Sequence, residues 1–134
     1  MVFACGCTTT SPVQESKTPP PPPVPNLLGN WTGPAVGYIG DVGYTDYSGV
    51  NITMQVEGQK DRIFWGKFSI TNQTAVQWMV GFSGVIGRDG MTVTIAERNG
   101  GYSLGTINGA DMIELIHFDD NDPSDVAIDT LKKV

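Results

Sequence analysis

The chain contains one histidine, His117, in the stretch Ile113-Glu114-Leu115-Ile116-His117-Phe118. Histidine is the side chain that most readily gives and takes protons near neutral pH, so any acid–base chemistry would be sought there first. If this stretch is a strand, Glu114 and His117 face opposite sides and form no dyad. A Ser-His-Asp arrangement would need an activated serine. Gly81-Phe82-Ser83-Gly84-Val85 has Val85 where a nucleophile elbow ends in glycine, and it sits in strand context, so Ser83 reads as structural. Asp41 and Asp46, beside Tyr44 and Tyr47, are the candidate carboxylate pair; a polar loop would carry the same residues. From Asp111 to Asp129 there are seven carboxylates and no Lys or Arg. Asp119, Asn121, Asp122 and Asp125 are the weak candidates for a cation such as calcium, but the glycine and distal glutamate of a calcium loop are lacking, and a solvated acidic turn is the favoured reading. The expectation is a non-catalytic protein with no cofactor and no metal.

The thiols point elsewhere. Cys5 and Cys7 are separated by one residue and the remaining chain has no cysteine. That spacing is too short for an unstrained disulfide, and two thiols with one histidine do not complete a tetrahedral zinc site. Small residues before a cysteine, then Thr8-Thr9-Thr10-Ser11-Pro12, resemble the processing site of a lipoprotein, where a leader is cut before a cysteine that takes a lipid. Gly6-Cys7 is the closer match, and Ala4-Cys5 is the alternative register. A signal peptide needs a positive start and an apolar core of about 7–15 residues; six residues precede Cys7. The rival reading is a plain tail with two free thiols.

The elements that would position a site come next. Seven of the nine prolines fall within residues 12–25, five of them consecutive from Pro19 to Pro23. Proline lacks an N–H and fixes φ, so residues 1–26 form a tail whose proline tract favours a stiff polyproline II spacer of about 3.1 Å per residue. An SH3-type ligand is the rival for that tract. Residues 27–134 form the folded domain. Val50, Ile52, Met54 and Val56 alternate with polar residues; Met91, Val93 and Ile95 alternate with Thr92, Thr94 and Ala96; Val76, Trp78, Val80 and Phe82 share a face. Asp89-Gly90, Asn99-Gly100 and Asn108-Gly109 are hairpin signals. The pattern predicts an all-β fold. About eight strands, near 30–38, 47–57, 61–71, 75–87, 90–97, 101–108, 111–119 and 124–132, form an antiparallel meander closing into a small up-and-down barrel. Tyr47-Ser48-Gly49-Val50 recurs as Phe82-Ser83-Gly84-Val85, with a looser copy at Tyr102-Ser103-Leu104-Gly105; the glycines mark bends where a Cβ would crowd a neighbour.

Such a barrel either fills its interior or holds one small ligand. Trp31, Tyr38, Phe68, Trp78, Phe82 and Tyr102 are the candidates to line a cavity, against the plainer reading of a packed core. The face with Phe64, Gly66, Phe68 and Ile70 reads as inward, which turns Ile63 and Trp65 outward as a candidate contact surface for a protein partner or another copy. Asn30, Asn51 and Asn72 each begin an Asn-x-Thr sequon, a glycosylation acceptor on an exported protein. The net charge of −6 and the absence of a Lys/Arg cluster argue against nucleic acid, and no apolar run of about 18 residues spans a membrane.

Leu28-Gly29-Asn30-Trp31-Thr32-Gly33 resembles the first strand of lipocalin- and avidin-like domains, which are eight-stranded up-and-down barrels. Thr32-Gly33-Pro34-Ala35 stands where avidins place biotin-binding residues, so biotin binding does not carry over. Together with Gly43-Tyr44-Thr45-Asp46-Tyr47 and the Phe82–Gly90 segment, the opening also resembles uncharacterised lipoproteins of methanogenic archaea over residues 5–134. That likeness implies a lipid-anchored protein on the outer face of the cell envelope and brings no known activity. The expected function is binding or interaction there, with the membrane reached through the lipid. The alternatives are a carrier of a small apolar ligand and an extracellular protease inhibitor.

Overall fold

The computed structural model describes residues 11–72 and 75–134. Cys5 and Cys7, and residues 73–74 of the third sequon, lie outside the described residues. Among the described residues no helix is long and apolar enough to cross a membrane.

The described residues form ten strands: β1 (Gly29–Gly33), β2 (Ala35–Ile39), β3 (Gly43–Thr45), β4 (Val50–Lys60), β5 (Ile63–Asn72), β6 (Ala75–Ile86), β7 (Thr92–Glu97), β8 (Tyr102–Asn108), β9 (Met112–Asp119) and β10 (Asp125–Lys133). Every ladder is antiparallel. Eight strands, β1 and β4 to β10, make the ring, which closes where Trp31 and Thr32 meet Lys133 and Lys132. The all-β barrel read from alternation and turns is thus present.

Two differences matter. The expected first strand is broken at Pro34, which has no N–H to give a ladder; its carbonyl still accepts from the Thr130 amide at 3.1 Å. Beyond Pro34, β2 stays with β10 and takes the short strand β3 as its other neighbour, and among the described residues it forms no ladder with β4. The wall therefore has a seam between β2 and β4 at one end of the barrel. Second, β6 carries an irregularity opposite Ile70/Thr71, so that Ile70 pairs with Trp78 but Thr71 with Val76. The extra residue changes the phase, and Val76, expected on the face of Trp78 and Val80, is exposed.

The inward residues divide the interior into two halves. At one end Trp31, Met54, Val56, Phe64, Ile86, Val93, Ile113 and Leu131 pack into an apolar core. Leu27, 1% exposed, closes this end from below. Its amide donates to Gln59 Oε1 at 2.8 Å, Gln59 Nε2 donates to the Pro25 carbonyl at 2.8 Å, and Trp31 Nε1 donates to the Leu27 carbonyl at 2.8 Å. The tail thus meets the domain at the closed end, with residues 11–24 in no strand or helix.

The repeated glycines have two different causes. A Cβ on Gly84 would lie 2.4 Å from the Phe64 ring and one on Gly105 2.5 Å from Leu115, which is the crowding expected; Gly49 has open space and a φ of +77°, and serves a turn.

Candidate binding site at the open end of the barrel

At the other end the same period of two carries polar residues inward. β7 continues Val93, Ile95 with Glu97; β8 brings in Ser103; β9 follows Ile113 and Leu115 with His117; β10 directs Asp125, Ala127 and Asp129 inward above Leu131. β10 is inside out over this stretch, with Val126 and Ile128 exposed and Asp129 only 7% exposed. Carboxylates are rarely buried unless paired or used.

His117 joins the group. Its Nδ1 lies 3.1 Å from Glu97 Oε1, with Ser103 Oγ 3.3 Å from the same nitrogen. A carboxylate only accepts, so Nδ1 carries the proton and Glu97 fixes the orientation of the ring. The other nitrogen, Nε2, is 3.7 Å from Asp125 Oδ1, too long for a direct hydrogen bond. Glu97 Oε2 and Asp125 Oδ1 are buried with no hydrogen-bond partner. Burial pushes the Asp129 carboxyl up to about 6; the charge of His117 pulls it down, and those of Glu97 and Asp125 push it further up. Burial, opposed by His117, likewise raises Asp125. Burial alone would lower His117, but the Glu97 bond and the surrounding carboxylates leave it raised.

Glu97, His117, Asp125 and Asp129 form one wall of a cavity of about 390 Å³ at the barrel mouth. The facing wall is apolar: Ile52, Phe68, Ile70 and Trp78; Ile39 lies beside Asp125 on the neighbouring strand. Tyr47, from the β3–β4 loop, also lines the cavity. Its backbone adopts a left-handed φ of +47°, unusual for an aromatic residue, and its hydroxyl lies where a Cβ on Gly37 would come within 3.1 Å. Burial and the negative charge of Asp125 and Asp129 raise its pKa. A larger and more open groove of about 880 Å³ runs past Trp65, Lys67 and Arg98; Glu97 borders it too, but His117, Asp125 and Asp129 do not.

The sequence candidates are distributed as follows. Phe68 and Trp78 line the cavity. Trp31 and Phe82 belong to the core. Tyr38 and Tyr102 are exposed, because their neighbours Gly37 and Ser103 take the inward phase. Ile63 and Trp65 face outward as expected. The bulge lies on the partner strand, where register shifts between Val56 and Gly58, and Trp65 covers Gly58 so closely that a Cβ there would lie 2.2 Å from its ring. Asn30, Asn51 and Asn72 are exposed.

Of the four acidic-turn candidates, Asp119 and Asp125 offer oxygens that converge with His117 within 4.8 Å. Asn121 instead closes the turn on Asp119, its amide donating to Oδ1 at 2.9 Å. Asp122 is exposed. Glu114 is exposed, opposite in phase to His117 as expected, and Ser83 is exposed. Asp46 accepts from the Ser48 amide and hydroxyl in its own loop and does not pair with Asp41. Glu97 and Asp129 were not singled out from sequence. Extending the Val93–Ile95 alternation by one step reaches Glu97, and stepping back by twos from Leu131 reaches Asp129.

No protein-family model, curated protein or solved structure matches this chain.

Proposed function

We propose that the chain is a tethered binding module that accepts a small molecule in the open end of its barrel. The observation that carries this reading is the cavity of about 390 Å³ with an apolar wall facing buried, incompletely partnered polar groups. That volume lies in the range of small-molecule sites, and few convergent polar groups on an apolar lining are their usual make-up. The polar cluster has no activated nucleophile among its members, and its carboxylates and imidazole serve recognition. The tether is a lipid on Cys7, or Cys5, supported by the small residues and threonines around them, the proline spacer and the resemblance to archaeal envelope lipoproteins. The spacer enters at the closed end, opposite the mouth.

Intact mass of the protein isolated from its own host tests both parts. Under native conditions an added mass that disappears on denaturation identifies a bound ligand. Under denaturing conditions a covalent lipid on a fragment beginning at Cys7 or Cys5 identifies the anchor. A bare native mass across preparations removes the ligand reading; an unmodified Met1 terminus removes the anchor.

A second reading concerns the outer wall. Registers align Tyr102, Phe118, Val126 and Tyr38 in one rung and Leu104, Ile116, Ile128 and Val36 in the next, across β8, β9, β10 and β2. Six of these eight are exposed, and Tyr102 stacks on Phe118 with ring centroids 5.0 Å apart. A contiguous uncharged apolar face on a chain of net charge −6 suits a second copy, because it brings two neutral surfaces together and leaves the acidic turns at the margin.

A further inference from the structure

The proposed ligand site has an electrostatic imbalance that narrows its ligand. Four carboxylates line the cavity, Glu97, Asp119, Asp125 and Asp129, against one imidazole; among the described lining residues there is no lysine or arginine. The Glu97 side chain is 3% exposed, and while Oε1 holds His117, Oε2 has no partner. Asp125 Oδ1 is also buried and without a hydrogen bond, 3.7 Å from His117 Nε2. Buried carboxylate oxygens without donors are costly, and a donor-rich positive group supplies what both lack.

A bare metal ion meets only part of the geometry. The Asn121 amide already donates to Asp119 Oδ1, and an ion leaves the opposite wall of Ile52, Phe68, Ile70 and Trp78 without a role. One molecule with an ammonium-type head and an apolar body occupies both walls. The aromatic side chains of Trp78 and Tyr47 border the same space.

Building on the binding reading above, we infer that the ligand of this cavity is a small organic cation, its charged nitrogen held by the Glu97–Asp125–Asp129 wall and its apolar body laid against Phe68, Ile70 and Trp78.

Matched probes of one shape test this: 2-phenylethylamine, 2-phenylethanol and 3-phenylpropanoate, titrated into the full chain by calorimetry and by amide chemical shifts. The expected result is tightest binding of the amine, by about 10–100-fold over the alcohol, with no binding of the acid. Asp125→Asn, at a partly exposed position, should cost the amine about tenfold and leave the alcohol unchanged; Glu97→Gln should act in the same direction. Amine and alcohol binding equally, with shifts at the cavity, would overturn the charge assignment and leave the ligand site standing. Failure of all three probes, or zinc binding that excludes the amine, would also overturn it. The native mass of the host protein reports separately on whether a ligand site exists.

Discussion

Asp129 and its neighbours give the residue scale a measurable consequence. A carboxyl whose folded pKa lies above its unfolded value contributes stability below about pH 4 and loses it as pH rises through the folded value. For Asp129 that window runs up to about pH 6, and Asp125 shifts in the same direction. His117, also raised, contributes fully below about pH 6.5 and loses that contribution as pH rises further. Asp46 and Asp89 are lowered by hydrogen bonds within their own turns, so their contributions fade only as pH falls below about 4. The melting temperature should therefore be higher near pH 5 than at pH 8. Asp129→Asn should raise Tm at pH 8 by about 5 °C and flatten the profile. A Tm that climbs steadily from pH 5 to pH 8 in the wild type would refute this account of the cluster.

At the scale of elements, the strands were legible because exposed and buried residues alternate and Asn-Gly or Asp-Gly punctuates them; Met54, Phe64, Phe68 and Ile95 all face the way their spacing predicts. Two things were hidden. Bulges displace the phase by one residue without a sequence marker at the site, which is how Val76 came to face outward. The open ends of β8, β9 and β10 also reverse the usual preference, with Ser103, His117 and Asp125 inward and Tyr102, Ile116 and Val126 outward. A rule that turns apolar residues inward reads Val126 and Ile128 as core and Asp129 as surface. Phase carried over from Leu131 gives the observed answer, since a strand cannot flip one residue at a time. The short segment from Pro25 to Leu27 acts as a plug for the closed end. Leu27→Ala should destabilise the domain by about 2–5 kcal/mol in urea unfolding. Removal of residues 1–24 should change it by less than about 0.5 kcal/mol. Equal effects of the two changes would show that the plug is not where the tail is held.

At the scale of the whole molecule, the barrel presents different chemistry on different sides. The apolar rungs of β8–β9–β10–β2 lie three to four strands around the ring from Trp65 on β5. If copies pair through the former, sedimentation velocity should show a dimer that grows with concentration. Ile116→Lys should abolish it and Trp65→Ala leave it intact; the reverse pattern would move the contact to the Trp65 wall. The entry point of the tail also sets how the domain answers a pull. Tension applied along the spacer reaches β1 at its Gly29 end, and β1 is bonded on one side to β4 and on the other to β10. Antiparallel ladder bonds lie across the strand axis, so the load falls on them side by side in shear and does not open them one after another. The seam beside β2 and the cavity lie at the far end, beyond this load path. A domain pulled by its tail would resist through its closed end while its mouth keeps its shape.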